Sequence, residues 1–335
     1  MMPGPGGGTW PGRDWRGLAG VPPLPYARAM TGPLVLVGSP TALGGHFDGM
    51  DRTPRELRSL GIVDRLRRRP GFEGKSIVDA GDAPNDPGWA ADPDRHAKNR
   101  ARIAAYLPRL AGHVADALTA AGSAAGPEAL LLLGGDCTSH AGAMAGLRRA
   151  RPGLRLGIAW FDAHGDFNTP ATTPSGNVWG MPFAMIVGHG DEDLLVACDA
   201  PTADPGDAAL LGGQVLDEVE SRMLAASRVA HFGTGMLGTD AGIAALAAWA
   251  AVVAARVDAF YIAFDMDALD GAGDWAVAMP EPAGISLQTA VQAVRTIAGA
   301  GPVAGFGATA ILIGRGGNPE LTADAAAILA EAALG

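Results

Sequence analysis

Asp162, His164, Asp166 and Asn168 alternate within Trp160-Phe161-Asp162-Ala163-His164-Gly165-Asp166-Phe167-Asn168, directly after the apolar run 156–161. An extended backbone points every second side chain the same way, so two carboxylates and an imidazole converge on one spot. Without a cation the carboxylates repel and shift each other's pKa, whereas a divalent ion accepts carboxylate oxygen and imidazole nitrogen together. Taken alone, the pattern also fits an acidic loop in solvent. Two further segments weigh against that. Residues 257–264 read as a buried strand running into Asp265-Met266-Asp267, a second pair of carboxylates at period two. Residues 129–133 run into Gly134-Gly135-Asp136-Cys137, a tight glycine turn followed by a thiol. Ligands of open α/β sheets gather beyond the carboxyl ends of strands, and here three strand ends each deliver metal-type groups.

The elements that must position these residues follow from apolar periodicity. Strands are expected at 34–37, 77–78, 129–133, 156–161, 228–232, 260–264 and 303–313. Helices are expected at 53–60, 96–121 (with Pro108 inside), 180–187, 217–226, 239–254, 287–298 and 322–334. Strands alternating with helices argue for an α/β fold with a mostly parallel sheet covered on both faces. With 335 residues and 48% hydrophobic content the chain can bury a large core. One domain is expected over 30–335, preceded by a flexible Gly/Pro-rich extension over 1–29, with Met30 a candidate natural start.

A formal net charge of −10 disfavours nucleic-acid binding. The one dense basic run, Arg65-Leu66-Arg67-Arg68-Arg69, reads as a solvated helix end. No uncharged apolar stretch reaches the roughly 18 residues of a membrane span, and no basic-then-apolar signal opens the chain. Two cysteines, Cys137 and Cys198, make no disulfide framework. Together these features fit a soluble cytoplasmic protein acting on a small molecule.

The three motifs Gly134-Gly135-Asp136-Cys137, Asp162-Ala163-His164-Gly165-Asp166 and Phe264-Asp265-Met266-Asp267 resemble, in order and spacing, the metal motifs of the ureohydrolases, the family of arginase and agmatinase. Gly49-Met50-Asp51-Arg52-Thr53-Pro54, Asp79-Ala80-Gly81-Asp82 and Met279-Pro280-Glu281-Pro282-Ala283-Gly284 extend the resemblance. It implies a three-layer α/β/α fold and two divalent ions, manganese in most of the family, that activate a shared water toward a guanidinium carbon. Asp162 and Asp265 would bridge both ions, Cys137 and Asp166 would complete one site, and His164 and Asp267 the other. Asp166 would also take the water's proton. Residues 168–177 resemble the arginase loop that binds the substrate's α-carboxylate and α-amino groups, with Asn168 and Ser175 foremost and Thr173 and Asn177 next. Ordinary turn chemistry is the alternative for that loop. A homo-oligomer, trimer or hexamer, is implied as well.

Three positions depart from the family pattern. Cys137 stands where most members have His, and a thiolate is softer, opening the site to zinc, iron or nickel. This exchange resembles the variant form found in Nω-hydroxyarginine hydrolase. Trp179 aligns with a His used for proton transfer to the leaving amine. Thr289 aligns with the acidic contact to the guanidinium, a role for which Glu281 is the substitute. The expected function is a binuclear metal amidinohydrolase that cleaves a guanidino C–N bond of an arginine-like amino acid, releasing urea or a substituted urea. A formimino or amide hydrolase of the same fold, or a metal-binding protein without turnover, are the alternatives.

Overall fold

Eight strands form one sheet. In the computed structural model, which describes residues 32–85, 91–122 and 128–335, they are β1 (Leu34–Ser39), β2 (Ile77–Asp82), β3 (Ala129–Gly134), β4 (Leu156–Asp162), β5 (Ala203–Gly212), β6 (Ala230–Phe232), β7 (Ala259–Asp265) and β8 (Val303–Thr309). Their order is β2-β1-β3-β8-β7-β4-β5-β6, and every pairing is parallel. The expected extension over 1–29, and Met30, lie outside the described residues.

The helices are α1 (Thr53–Ser59), α2 (Ile62–Arg67), α3 (Arg100–Ala121), α4 (Thr138–Ala150), α5 (Pro182–Ile186) and α6 (Glu192–Ala197). They continue with α7 (Glu218–Ala226), α8 (Thr234–Leu237), α9 (Asp240–Ala254), α10 (Leu287–Ala300) and α11 (Pro319–Leu334). Strand residues sort between two separate cores by parity. Leu34, Leu36, Leu131, Leu133, Phe161 and Phe264 pack with α1, α2 and α8 to α11. Their neighbours Val35, Val37, Leu130, Leu132, Trp160 and Tyr261 pack with α3 to α7. A strand covered on both faces has no solvent side, which is why β3 reads Ala-Leu-Leu-Leu-Leu-Gly without a polar residue. The three-layer α/β/α architecture agrees with expectation.

Several local readings need correction. β5, α4 and α6 were not anticipated: β5 opens on Ala-Asp-Pro-Gly-Asp, which has turn composition, and α4 is built from Thr, Ser, Gly and Ala with little apolar period. The expected strand 303–313 stops at Thr309, because Ala310 takes φ 56 and turns the chain. α3 begins at Arg100, not 96, and runs through Pro108. The arginine run is a solvated end only in part: Arg67 and Arg68 are exposed, whereas Arg65 and Arg69 are engaged by α11. Arg65, with only 15% of its side chain exposed, pairs with Glu320 and Asp324 of α11, and Arg69 pairs with Glu331. Glu331 also accepts from the Gly71 N–H at 2.8 Å, and Lys75 Nζ donates to the Leu334 carbonyl at 2.6 Å. One residue on, the Ser76 carbonyl accepts from the Leu34 N–H at 2.8 Å, where β1 begins. Among the described residues no helix is long and apolar enough to cross a membrane.

Phe264, fully buried one residue before Asp265, stacks on Phe161 at 5.0 Å and meets Phe306 at 6.2 Å between ring centroids. Truncation leaves a cavity under the site. Phe264→Ala is expected to cost about 3–5 kcal/mol in urea unfolding; a loss below about 1 kcal/mol would contradict this account of the packing.

Candidate metal centre

Each ligand-bearing segment leaves the carboxyl end of a strand. After β3, Gly135 donates its N–H to the Ser39 carbonyl at 2.9 Å, and Asp136 N–H bonds to Thr41 O at 3.0 Å. A Cβ on Gly135 would lie 1.9 Å from the Thr41 oxygen, so no larger residue fits that crossing. Asp136 is fully buried and accepts from the Gly44 N–H at 2.9 Å and the Thr138 N–H at 3.0 Å. Burial pushes its carboxyl up despite these bonds. The acid of Gly-Gly-Asp-Cys is therefore a brace for the 41–44 loop, and Cys137 follows as the N-cap residue of α4.

After β4 and β7 the alternating acids converge. Cys137, Asp162 and Asp166 bring one ligand atom each to within 4.8 Å of one another, and so do Asp162, His164 and Asp267. Asp162 belongs to both groups. Asp265 adjoins the first: its Oδ2 accepts from Cys137 Sγ at 2.9 Å, while its Oδ1 accepts from the Asp267 N–H at 2.9 Å. His164 Nδ1 lies 3.2 Å from Asp162 Oδ1 and 3.4 Å from Asp267 Oδ2. Trp160 Nε1 donates to the remaining Asp162 oxygen at 3.0 Å. Asp166 sits at φ 47, a left-handed conformation held by the Ala184 N–H bonding to its carbonyl at 3.1 Å.

Four carboxylates in a buried cluster carry an electrostatic burden. Burial and the neighbouring Asp267 raise Asp162 from its ordinary 3.8 to about 6. Burial and carboxylate repulsion push Asp166 and Asp265 well up, and the Cys137 thiol likewise. Burial alone would lower the His164 imidazole, but hydrogen bonds to Asp162 and Asp267 outweigh it and raise it. Two buried atoms, Asp166 Oδ2 and His164 Nε2, have no hydrogen-bond partner among the described residues. Oxygen, nitrogen and sulfur donors gathered around unsatisfied lone pairs fit divalent cations.

A cavity of about 290 Å³ opens onto this cluster. All four residues expected at the substrate end line it: Asn168, Thr173, Ser175 and Asn177. Asn168 is held from both sides, donating to Asp217 Oδ2 at 3.0 Å and accepting from Thr172 Oγ1 at 3.0 Å. Thr173 Oγ1 accepts from the Gly176 N–H at 3.0 Å, and Ser175 Oγ from the Asn177 N–H at 3.2 Å, so both also hold the loop. Glu281 lines the cavity with Oε1 3.7 Å from His164 Nε2. Thr289 does not: it sits in the first turn of α10, where its N–H bonds to the Ser286 cap. Asp270 is a turn residue, its Oδ1 accepting from the Ala272 N–H.

Sequence reasoning missed two wall residues, Asp217 and Glu220. They form a capping box at the start of α7, and Glu220 also accepts from the Phe167 N–H at 2.8 Å. Burial raises Glu220 to about 7. The Asp-x-x-Glu spacing ahead of a helix was the available signal. His140, by contrast, is buried between Tyr261 and Thr309 and outside the cavity.

With this geometry in hand, comparison with known proteins is decisive. The family model described as the Arginase family matches residues 33–334. The chain belongs to the arginase family. It is 31% identical to an arginase of Brevibacillus brevis over 255 residues, covering 76% of this chain and 81% of that one. An arginase of Bacillus caldovelox is 29% identical over 269 residues, 79% of this chain and 86% of the relative. The solved structure of the Bacillus caldovelox arginase superposes with a TM-score of 0.77 at 26% identity, covering 91% of this chain and 98% of that one. The arginase-family fold is thus present over nearly the whole described chain, and the candidate ligands occupy the strand ends beneath its cavity.

The raised acids set a sign. Asp162 holds its proton in the fold up to about 6, so the stability tied to it is complete below its unfolded value near 3.8 and is lost as pH rises through about 6. The raised His164 has the same sign, but its contribution is complete below its unfolded value near 6.5 and leaves the window below about 6 to the acids. Metal-free protein is therefore expected to show a melting temperature that falls as pH rises from about 4 to about 6, and added divalent ion should abolish the fall. Identical profiles with and without metal would contradict the assignment.

Proposed function

We propose that the protein is an amidinohydrolase that uses two divalent ions, manganese by family resemblance, to cleave a guanidino C–N bond of an arginine-like amino acid, releasing urea or a substituted urea. The observation that carries this reading is the shared position of Asp162. Its carboxylate belongs to both ligand groups, the arrangement required of a bridging ligand. Cys137, Asp162, Asp166 and Asp265 would hold one ion, and Asp162, His164, Asp265 and Asp267 the other. Such a pair supplies Lewis-acid activation of a water at neutral pH.

The chain's own residues do the rest. Asp166 keeps a partnerless Oδ2 in the cluster, suited to take a proton from the attacking water. Glu281, beside His164 at the cavity wall, offers a carboxylate to a guanidinium. At the far end Asp217 supplies an acceptor for an α-ammonium, and the amide and hydroxyl groups of Asn168, Thr173, Ser175 and Asn177 suit an α-carboxylate. Trp179 lines the wall, and its indole cannot titrate, so no imidazole at that position protonates the leaving amine. That favours a guanidine of low basicity with a less demanding leaving group.

Two experiments test this reading. Elemental analysis of metal-reconstituted protein should give two divalent ions per chain, and Cys137→Ala should weaken one site while the fold survives; a ceiling of one ion would defeat the binuclear centre. In a urea-release assay, kcat/KM should rank Nω-hydroxy-L-arginine above L-arginine and both above agmatine. A preference for agmatine would overturn the assignment of the 168–177 loop, and ammonia or formamide in place of urea would move the reading to a formimino or amide substrate.

A further inference from the structure

Lys98, Asn177 and His46 form a chain of side-chain hydrogen bonds reaching the cavity wall, of which the proposed reaction uses Asn177 alone. Lys98 Nζ donates to Asn177 Oδ1 at 2.9 Å, and Asn177 Nδ2 lies 3.1 Å from His46 Nδ1. Asn177 and His46 line the cavity, and Asn177 is 5% exposed. The backbone fixes the first link, because the Lys98 N–H bonds to the Gly176 carbonyl at 2.8 Å. Lys98 is half-buried, and among the described residues no carboxylate pairs with it.

Donor and acceptor roles propagate along this chain without a free choice. An ammonium can only donate, so the amide atom facing Lys98 is the carbonyl oxygen, and the amide nitrogen faces His46. That nitrogen can only donate in turn, so Nδ1 of His46 is the bare, accepting nitrogen and the ring proton sits on Nε2. A doubly protonated imidazolium would set one N–H against another at Nδ1. Burial, then the charges of Lys98 and Arg315, push His46 down from its ordinary value, in the same sense. The ring is held in place by Phe47 at 3.9 Å and by the edge of Trp179 at 5.2 Å between centroids. Arg315 in turn covers Phe47, its guanidinium carbon 3.6 Å from the ring centroid. His46 Nε2 has no protein partner among the described residues.

We infer that Lys98, acting through Asn177, locks His46 as a neutral Nε2–H donor that recognises the carboxylate of an α-amino-acid ligand. The identity of that ligand rests on the proposed function; the tautomer does not. This wall suits an anion because a donor backed by two cations repels an ammonium or guanidinium, and those groups belong at Asp217 and Glu281. His46 is exposed, so its Nε2–H is open to an incoming ligand, and a ligand lacking the carboxylate forgoes this charge-assisted hydrogen bond. Lys98 is thereby a positioning residue, and His46 the group that meets the ligand.

The test is nitrogen-15 NMR of the histidine rings in zinc-loaded protein at neutral pH. His46 is expected to show a pyridine-like Nδ1 and a protonated Nε2, and Lys98→Met to abolish that preference. L-ornithine should move the His46 Nε2 resonance, whereas putrescine, the same skeleton without the carboxylate, should not. His46→Ala should weaken ornithine binding by about tenfold, as expected for loss of one charge-assisted hydrogen bond. A proton on Nδ1 in the unmodified protein, or equal responses to ornithine and putrescine, would overturn the inference. Because none of these readouts needs turnover, a protein that behaves this way yet releases no urea would count against the proposed reaction and in favour of this assignment.

Discussion

Four carboxylates, Asp162, Asp166, Asp265 and Asp267, share one buried pocket of space at the ends of β4 and β7. Burying one ionised carboxylate is costly, and burying four side by side is tolerable only if protons or cations enter with them. The surrounding structure reads as a response to that constraint. Backbone N–H groups of His164, Ala163 and Asp267 point at the acids, Trp160 adds an indole donor, and Asp166 is held in a left-handed conformation. Even so, Asp166 Oδ2 and His164 Nε2 stay unmatched, an imbalance that a divalent cation would relieve.

The supporting frame is arranged so that the acids cannot drift apart. The two cores on either face of the sheet clamp β3, β4 and β7 from above and below, and the strand ends are set by residues such as Phe264 and Trp160 that have no room to move. Asp136 and Glu220 extend the frame outward. The first ties the 41–44 loop to the Cys137 turn, and the second ties the Phe167 backbone to the start of α7. Each is a buried acid used as a hydrogen-bond hub, next to acids suited to chemistry.

The clustering of the candidate ligands was legible in the sequence because period-two alternation at a strand exit is itself a geometric statement, and three such exits leave little freedom. The architecture was legible for the same reason, since unbroken runs such as Leu130 to Leu133 need cover on both faces. What escaped depended on contacts that local composition does not encode. β5 starts with turn-like residues and becomes a strand only by pairing with β4; Asp217 and Glu220 reach the cavity because that strand delivers them. Arg65 looked like a solvent charge because its partners lie some 255 residues away on α11. Residues 168, 173, 175 and 177 were expected at the cavity from the family resemblance of their loop, but the bonds they make within that loop came only from the fold.

The tie between Lys75 and the Leu334 carbonyl has a geometric consequence. Ser76, the next residue, receives the first N–H of β1, so the described chain enters the sheet and leaves α11 within a few residues of the same spot. That spot lies at the amino ends of the parallel strands, and the cavity lies at their carboxyl ends. Head and tail of the folded unit therefore emerge together on the side away from the cavity mouth. Joining the two ends of the described chain while opening a loop elsewhere would keep every candidate ligand on its strand.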